Sequence, residues 1–242
     1  MWDPGITVLE SDDPTTQETP WHRHEEGQVF LIERGLMTTD AGQGRWVMLP
    51  GRLGWVPPGV LHMGIGHGPV LAVELLIAPR HCARLPVEPR VYVCSVFLGA
   101  LFNRIRETVA DPDRTGHLLA VLLDELANAR PEPLYLPMFQ DPRLVRLARA
   151  LLLDPGKRCD VAAWAAEAGM SRRTLARHVL AETGLTFGQW RNLARLLASL
   201  ERLGAGESVT TVAFEVGYES VSAFIAGFRG HFGVTPGKYY RG

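Results

Sequence analysis

Val161-Ala-Ala-Trp-Ala-Ala-Glu-Ala-Gly169-Met-Ser171-Arg-Arg-Thr-Leu175-Ala-Arg-His-Val179 and Val209-Thr-Thr-Val-Ala213-Phe-Glu-Val-Gly217-Tyr-Glu-Ser220-Val-Ser-Ala-Phe224-Ile-Ala-Gly-Phe228 are one pattern written twice. Each copy has a short apolar helical run, a Gly where the chain must turn, and a Ser placed to cap the next helix. That order spells a helix-turn-helix. A turn Gly takes positive φ at little cost, so two helices can cross steeply over a very short connection.

The copies match position by position. Val161, Ala165, Glu167 and Gly169 recur as Val209, Ala213, Glu215 and Gly217. After one extra residue, Ser171, Gly184 and Thr186 recur as Ser220, Gly233 and Thr235. Upstream, Asp141-Pro142 opens a helix to about Leu153, with Pro at a favoured first position. Asp160 caps the first scaffold helix, 161–168, and Ser171 the helix after it, which runs to about Glu182. Thr186-Phe-Gly-Gln189 has the form of a capping box for a helix reaching about Leu203. At 1.5 Å per residue that rod spans roughly 25 Å. Such a spacer suits two readers about one DNA turn, ~34 Å, apart. Trp164, Trp190, Phe224, Phe228 and Phe232 fit core positions.

The tandem arrangement, closed by Gly233-Val-Thr-Pro-Gly-Lys-Tyr-Tyr240, resembles the AraC-type transcription regulators over about the last hundred residues. The resemblance implies double-stranded DNA as partner. It puts the base-contacting positions of the first reader on Arg173, Ala176 and Arg177. Arg173 and Arg177 lie four apart on one helical face, and a guanidinium fork matches guanine O6 and N7. Ala176 offers only apolar contact. Ser171 and Arg172 flank them, with phosphate as the expected partner of Arg172. Arg191 and Arg195, also four apart, are candidate phosphate clamps. In the second reader Ser220, Val221, Ser222 and Arg229 hold the exposed positions and include few base-reading side chains. Specificity is therefore expected mainly from the first copy.

Charge agrees with this division. Residues 1–140 hold 11 Lys+Arg against 17 Asp+Glu, a net of −6, and residues 141–242 hold 14 against 9, a net of +5. The sum is the formal −1 of the chain. A basic back half and an acidic front half point to nucleic acid at the back only. No apolar run is long enough to span a bilayer and no secretion signal opens the chain, so a cytoplasmic protein is expected. Cys82, Cys94 and Cys159 have no pairing or metal spacing and are expected as free thiols.

The whole chain is read as a two-domain α+β protein, with a cupin-like β-barrel and a helical hairpin in its front half. Residues 1–20 form an arm or an irregular first strand. Short β-rich runs then follow between Gly and Pro: Val29–Glu33, Leu36–Asp40, Arg45–Leu49, Gly54–Val56, His62–Ile65 and Val70–Ile77. Strands at this spacing indicate a sandwich or barrel. His22-Arg-His24-Glu-Glu-Gly-Gln28, and Gly51 through Pro57-Pro-Gly59 to His62, resemble the two cupin motifs, which in that family surround a metal or ligand pocket in a small β-barrel. Residues two apart on a strand face one side, so His22 and His24 project together. Gln28 and His62 are the expected further ligands. Three imidazoles and an oxygen donor suit a divalent transition metal such as zinc, nickel, iron or manganese. Gln28 stands where that motif usually has Glu, which weakens the site's charge; a purely organic effector pocket is the alternative. Glu25 and Glu26 are solvated, or else orient a ligating imidazole.

Helical period returns over residues 95–109 and 114–130, with Ser95 and Asp113 where caps belong. Leu118, Leu119, Leu122, Leu123 and Leu126 form an apolar stripe, read either as intrachain core or as a homodimer seam. The prolines of Arg130-Pro-Glu-Pro-Leu-Tyr-Leu-Pro137 forbid continued helix. The expected organisation is therefore a barrel over 1–93, a helical hairpin over 94–130, a linker over 131–140 and an all-α tandem helix-turn-helix domain over 141–242. The function expected is a sequence-specific regulator, activating or repressing, that answers to a small-molecule or metal effector. The alternative is a metal-dependent cupin enzyme of dioxygenase or isomerase type fused to a helical domain.

Overall fold

The structure, a computed structural model, describes residues 5–13, 18–42, 44–67, 69–157 and 160–239. Cys159, Tyr240 and parts of the expected N-terminal arm lie outside the described residues. The chain divides between Tyr135 and Leu136 into two compact units, with residues 43–45 counted in the second.

The first unit is β-rich. Its strands are β1 (Ile6–Asp13), β2 (Gly27–Arg34), β3 (Met37–Ala41), β4 (Gly44–Met48), β5 (Arg52–Val56), β6 (His62–Gly66), β7 (Val70–Ile77) and β8 (Arg90–Val93). A short β9 (Tyr135–Pro137) lies where the chain passes from the first unit to the second. They form a five-stranded sheet ordered β1-β7-β2-β5-β8 and a four-stranded sheet ordered β6-β3-β4-β9. β2 and β7 pair antiparallel with Phe30 opposite Glu74 and Gln28 opposite Leu76. Opposed residues share a face. Gln28, Phe30 and Glu74 therefore line one side, and Val29, Leu31, Val73 and Leu75 the other.

The second side meets a helical hairpin. Helix α1 (Val96–Thr108) is capped by Ser95, whose hydroxyl accepts from the Leu98 amide. Helix α2 (Pro112–Asn128) begins earlier than its sequence suggests. Asp111, not Asp113, accepts from the Arg114 amide, and Pro112 takes the first helical position where no N–H is needed. Leu119, Leu122, Leu123 and Leu126 join Leu98, Leu101, Phe102 and Ile105 in one cluster with Val29, Leu31, Leu53, Trp55, Val73, Leu75 and Ile77. The α2 stripe is thus spent inside the chain. Each fully buried Leu contributes about 1.5–3 kcal/mol, which makes the hairpin part of the core of this unit.

The segment expected as a linker is docked, not loose. The Val47 amide donates to the Leu134 carbonyl (3.0 Å) and the Glu132 amide to the Val91 carbonyl (2.8 Å). Arg52 and Glu132 form an ion pair with both side chains less than a fifth exposed. Leu134 and Leu136 are fully buried. The prolines forbid helix but leave the extended Leu-Tyr-Leu free to lie along a sheet edge.

The second unit is helical: α3 (Pro142–Leu153), α4 (Val161–Glu167), α5 (Arg172–Thr183), α6 (Phe187–Gly204), α7 (Val209–Glu215), α8 (Val221–Phe232) and α9 (Pro236–Tyr239). Asp141, Asp160, Ser171, Ser208 and Ser220 each cap a helix by accepting from a backbone amide in its first turn. Thr186 and Gln189 form the reciprocal capping box of α6. Trp164, Leu175, Trp190, Val212, Phe224 and Phe228 are fully buried between these helices.

Candidate functional site

In the first unit, a histidine cluster closes one end of a cavity. Residues 18–24 run antiparallel to β6 through bridges pairing Glu18 with Ile65 and His22 with His62. The His22 and His62 backbones exchange hydrogen bonds of 3.0 and 2.9 Å, which brings their rings to 4.3 Å between centroids. His24, two residues on, lies 5.1 Å from the His62 ring and 5.9 Å from that of His22. One ring nitrogen from each of the three lies within 4.8 Å of the others.

The tautomers are set by the backbone. Nδ1 of His22, His24 and His62 each lies 2.8 Å from a carbonyl oxygen, those of Pro20, Glu26 and Val60. A carbonyl only accepts, so Nδ1 carries the proton and donates, and Nε2 keeps its lone pair. Nε2 of His62 is buried without a hydrogen-bond partner among the described residues. Burial pulls the His62 imidazole below the ordinary histidine range, the Val60 carbonyl opposes this, and His22 and His24 add to it. An Nδ1–H anchored on a backbone carbonyl is how a metal-ligating histidine is held, with Nε2 left to face the ion. The orienting role expected of Glu25 or Glu26 falls to the Glu26 carbonyl; its carboxylate is 3.8 Å from His24 Nδ1.

The cavity beyond is about 100 Å³, and Thr19, His22, Gln28, Phe30, Met37, Thr39, His62, Gly64 and Glu74 line it. Gln28 does lie beside His22 and His62, but its Nε2 donates to Glu74 Oε2 at 2.7 Å. Thr39 Oγ1 is buried with no partner among the described residues. Neither Glu74 nor Thr39 stood out in the sequence. A Glu inside the apolar run Val70–Ile77 was the available signal.

In the second unit the exposed face of α5 carries the expected readers. Arg172, Arg173, Ala176 and Arg177 are all exposed, while Leu175 and Val179 on the opposite face are fully buried. None of the three arginines has a hydrogen bond or ion pair among the described residues, so their guanidinium groups are available. On α8, Ser222, Ala223, Ala226 and Arg229 are exposed and Val221 half-buried. Ser171 and Ser220 serve as caps, their hydroxyls occupied by the Thr174 and Ala223 amides.

Arg195, expected as a phosphate clamp, is also engaged within the chain. Its Nε donates to the Pro155 carbonyl at 2.9 Å, and its side chain is half-buried. Burial, then the Arg191 charge, lowers its pKa from the usual guanidinium range, with Tyr218 opposing. Tyr218, pushed up to about 12 chiefly by burial, donates its hydroxyl to Asn192 Oδ1 at 2.7 Å. Arg195 thus ties the loop before α4 to the turn between α7 and α8.

That turn depends on Gly217. Its φ is +87°, and a Cβ there would lie 2.6 Å from Arg195 Nη2 and 3.0 Å from the Gly156 backbone. Gly169, its counterpart, also has positive φ (65°) but open space around it. Gly217→Ala therefore combines left-handed strain with overpacking and should cost about 3 kcal/mol of stability, against about 1 for Gly169→Ala. Thermal unfolding followed by circular dichroism checks this; equal losses at the two turns would show that the Arg195 contact has no weight.

Known proteins bear on both units. A family model described as an AraC-like ligand binding domain matches residues 4–78, and a helix-turn-helix domain model matches residues 164–242. The HTH-type transcriptional regulator NimR of Escherichia coli K12 is 33% identical over 227 residues, which is 91% of this chain and 82% of NimR. RipA of Corynebacterium glutamicum, another HTH-type transcriptional regulator, is 33% identical over 107 residues, 44% of this chain and 32% of RipA. Among solved structures, the DNA-binding domain of AdpA in complex with a target DNA is 32% identical, covers 42% of this chain and 92% of its own, and has a TM-score of 0.40. These relatives are regulators, not enzymes, so the dioxygenase or isomerase alternative has no support among them. No helix among the described residues is long and apolar enough to cross a membrane. With an effector-binding domain in front and a helix-turn-helix domain behind, the chain belongs to the AraC-type family of DNA-binding transcription regulators.

Proposed function

We propose that this regulator answers to a divalent transition metal held by His22, His24 and His62, with the Gln28 oxygen as further donor. The observation that carries the reading is the set of Nδ1–H bonds to backbone carbonyls, which leaves an Nε2 lone pair on every ring and one of them buried without a partner. Zinc, nickel, iron and manganese all fit nitrogen-rich sites of this kind. The metal supplies positive charge and links elements that are otherwise joined by backbone hydrogen bonds and the Thr19 hydroxyl. To act as a switch it must bind two arrangements of the protein unequally.

On DNA, Arg173 and Arg177 read bases in the major groove and Ala176 packs against them. Arg172, Arg191, Ser222 and Arg229 meet phosphate; Arg195, its Nε held by the Pro155 carbonyl, has only its Nη groups to offer there. The same reading has the protein act in the cytoplasm, where DNA is reached. Homodimerisation belongs to the same reading, through Val93, Val96 and Phe97, which are exposed at the start of α1 while the α2 stripe is buried.

The test is a zinc titration of the chelator-treated protein, read by calorimetry, beside His62→Ala. Wild-type protein should take up one equivalent and change its affinity for operator DNA; His62→Ala should lose the uptake and the DNA response together. Full uptake by His62→Ala would remove the site from the function.

A further inference from the structure

We propose that Glu74 is the positioning residue of the metal site: it turns the Gln28 amide so that Oε1 is the end offered to the metal, and it supplies the site's negative charge. This rests on the metal reading above and names a residue that reading does not include.

The argument starts from what each group can do. A carboxylate oxygen only accepts, so the Gln28 end held 2.7 Å from Glu74 Oε2 must be the NH2 end. The other end, Oε1, is then the end not held by the carboxylate, and Gln28, Glu74, His22 and His62 all line one cavity. The strands fix this pairing: Glu74 is opposite Phe30 and two residues from the partner of Gln28, so both side chains rise from the same face. Sliding one strand by one residue would turn its own member of the pair toward the helices and part the two.

Charge points the same way. Among the described residues no Lys, Arg or His forms an ion pair with Glu74. Its one hydrogen bond there comes from the neutral Gln28 amide. The same cavity holds Thr39 Oγ1 and His62 Nε2, both buried without partners. A half-buried carboxylate and convergent imidazole nitrogens make a lining with acceptors and with no Lys or Arg among its residues. A divalent cation offsets the carboxylate. A carboxylate one hydrogen bond behind a metal-binding oxygen raises that oxygen's basicity and holds its direction.

The test compares zinc affinity, by competition with a chelator, for wild type, Glu74→Gln, the exchange Gln28→Glu with Glu74→Gln, and His62→Ala. Glu74→Gln keeps the volume and can still accept the Gln28 hydrogen bond, but it removes the charge. Its zinc affinity should fall about 10–100-fold. The exchange keeps both the hydrogen bond and the net charge with the two ends reversed, and should return affinity to wild type or above it. Melting of each metal-free protein serves as the control, since a purely structural Glu74 would lower the melting point without a rescue of zinc binding by the exchange. Glu74→Gln within twofold of wild type, or an exchange as weak as Glu74→Gln alone, overturns the proposal. If wild type binds zinc and His62→Ala does not, such a result removes Glu74 only. If wild type shows no His62-dependent zinc binding, the metal reading and this one fall together.

Discussion

An Arg173→Ala/Arg177→Ala protein should bind its preferred operator about a thousandfold more weakly and bind random duplex only slightly less well. Each guanidinium that forks onto guanine O6 and N7 contributes roughly 1–3 kcal/mol of discrimination, so two contribute about 4 kcal/mol, or three decades. Both residues are exposed on the face of α5 opposite buried Leu175 and Val179, so their loss leaves the fold unchanged. They have no intramolecular partner among the described residues to leave behind. The control is Arg172→Ala, which should weaken both duplexes alike and flatten the salt dependence by about one unit of slope. Retardation assays on operator and scrambled duplexes, at two salt concentrations, separate the outcomes. Equal losses on both duplexes for the double variant would reduce Arg173 and Arg177 to phosphate contacts. The first reader would then carry no sequence information.

The asymmetry between the two readers was legible because it lies in residue type: arginines at the start of α5, and Val221, Ser222 and Ala223 at the start of α8. Helix limits were legible for a related reason. Asp141, Asp160, Ser171, Thr186 and Ser220 bond to amides two or three residues on, so the signal is local. Strands β2 to β7, of which only β6 is a sheet edge, announced themselves by apolar runs between Gly and Pro. The strands that were harder to read, β1, β8 and β9, are all sheet edges. An edge strand buries one side less and tolerates Pro and charge, so its pattern weakens. The cap of α2 was misplaced because Asp111 and Asp113 flank Pro112 and only the backbone decides between them.

The histidines of the sensor were legible from spacing, but their anchoring was not. The carbonyls of Pro20, Glu26 and Val60 carry no side-chain signature. Glu74 is 46 residues from Gln28, and nothing local in either stretch points to the other. Arg195 shows a related gap. Helical spacing paired it with Arg191, while the Pro155 carbonyl, 40 residues away, holds its Nε. Contacts set by residue type and local spacing could be read from the sequence; long-range contacts needed the fold.

Trp190→Ala should unfold the second unit before any other single truncation there. Trp190 is fully buried on α6, the helix that packs against α3, α5 and α7. Its ring lies 4.9 Å from that of Phe139, and its indole N–H donates to the Pro137 carbonyl at 2.7 Å. Removing so large a side chain from a packed interior costs about 3–5 kcal/mol in transfer and cavity terms. For a unit of about 100 residues that shifts the melting point by roughly 20 °C. Trp190→Phe separates the contributions. It keeps an aromatic face against Phe139 but leaves the Pro137 carbonyl without its donor, at about 1–2 kcal/mol. Two-unit proteins need not unfold in one step, so scanning calorimetry is the measurement, with the metal-free protein used to hold the first unit constant. The lower transition should move with both variants, by the larger amount for Ala, and the transition of the β-rich unit should stay in place. If both transitions moved together by the same amount, the two units would unfold as one body. If neither moved, Trp190 would not be the centre of the helical core.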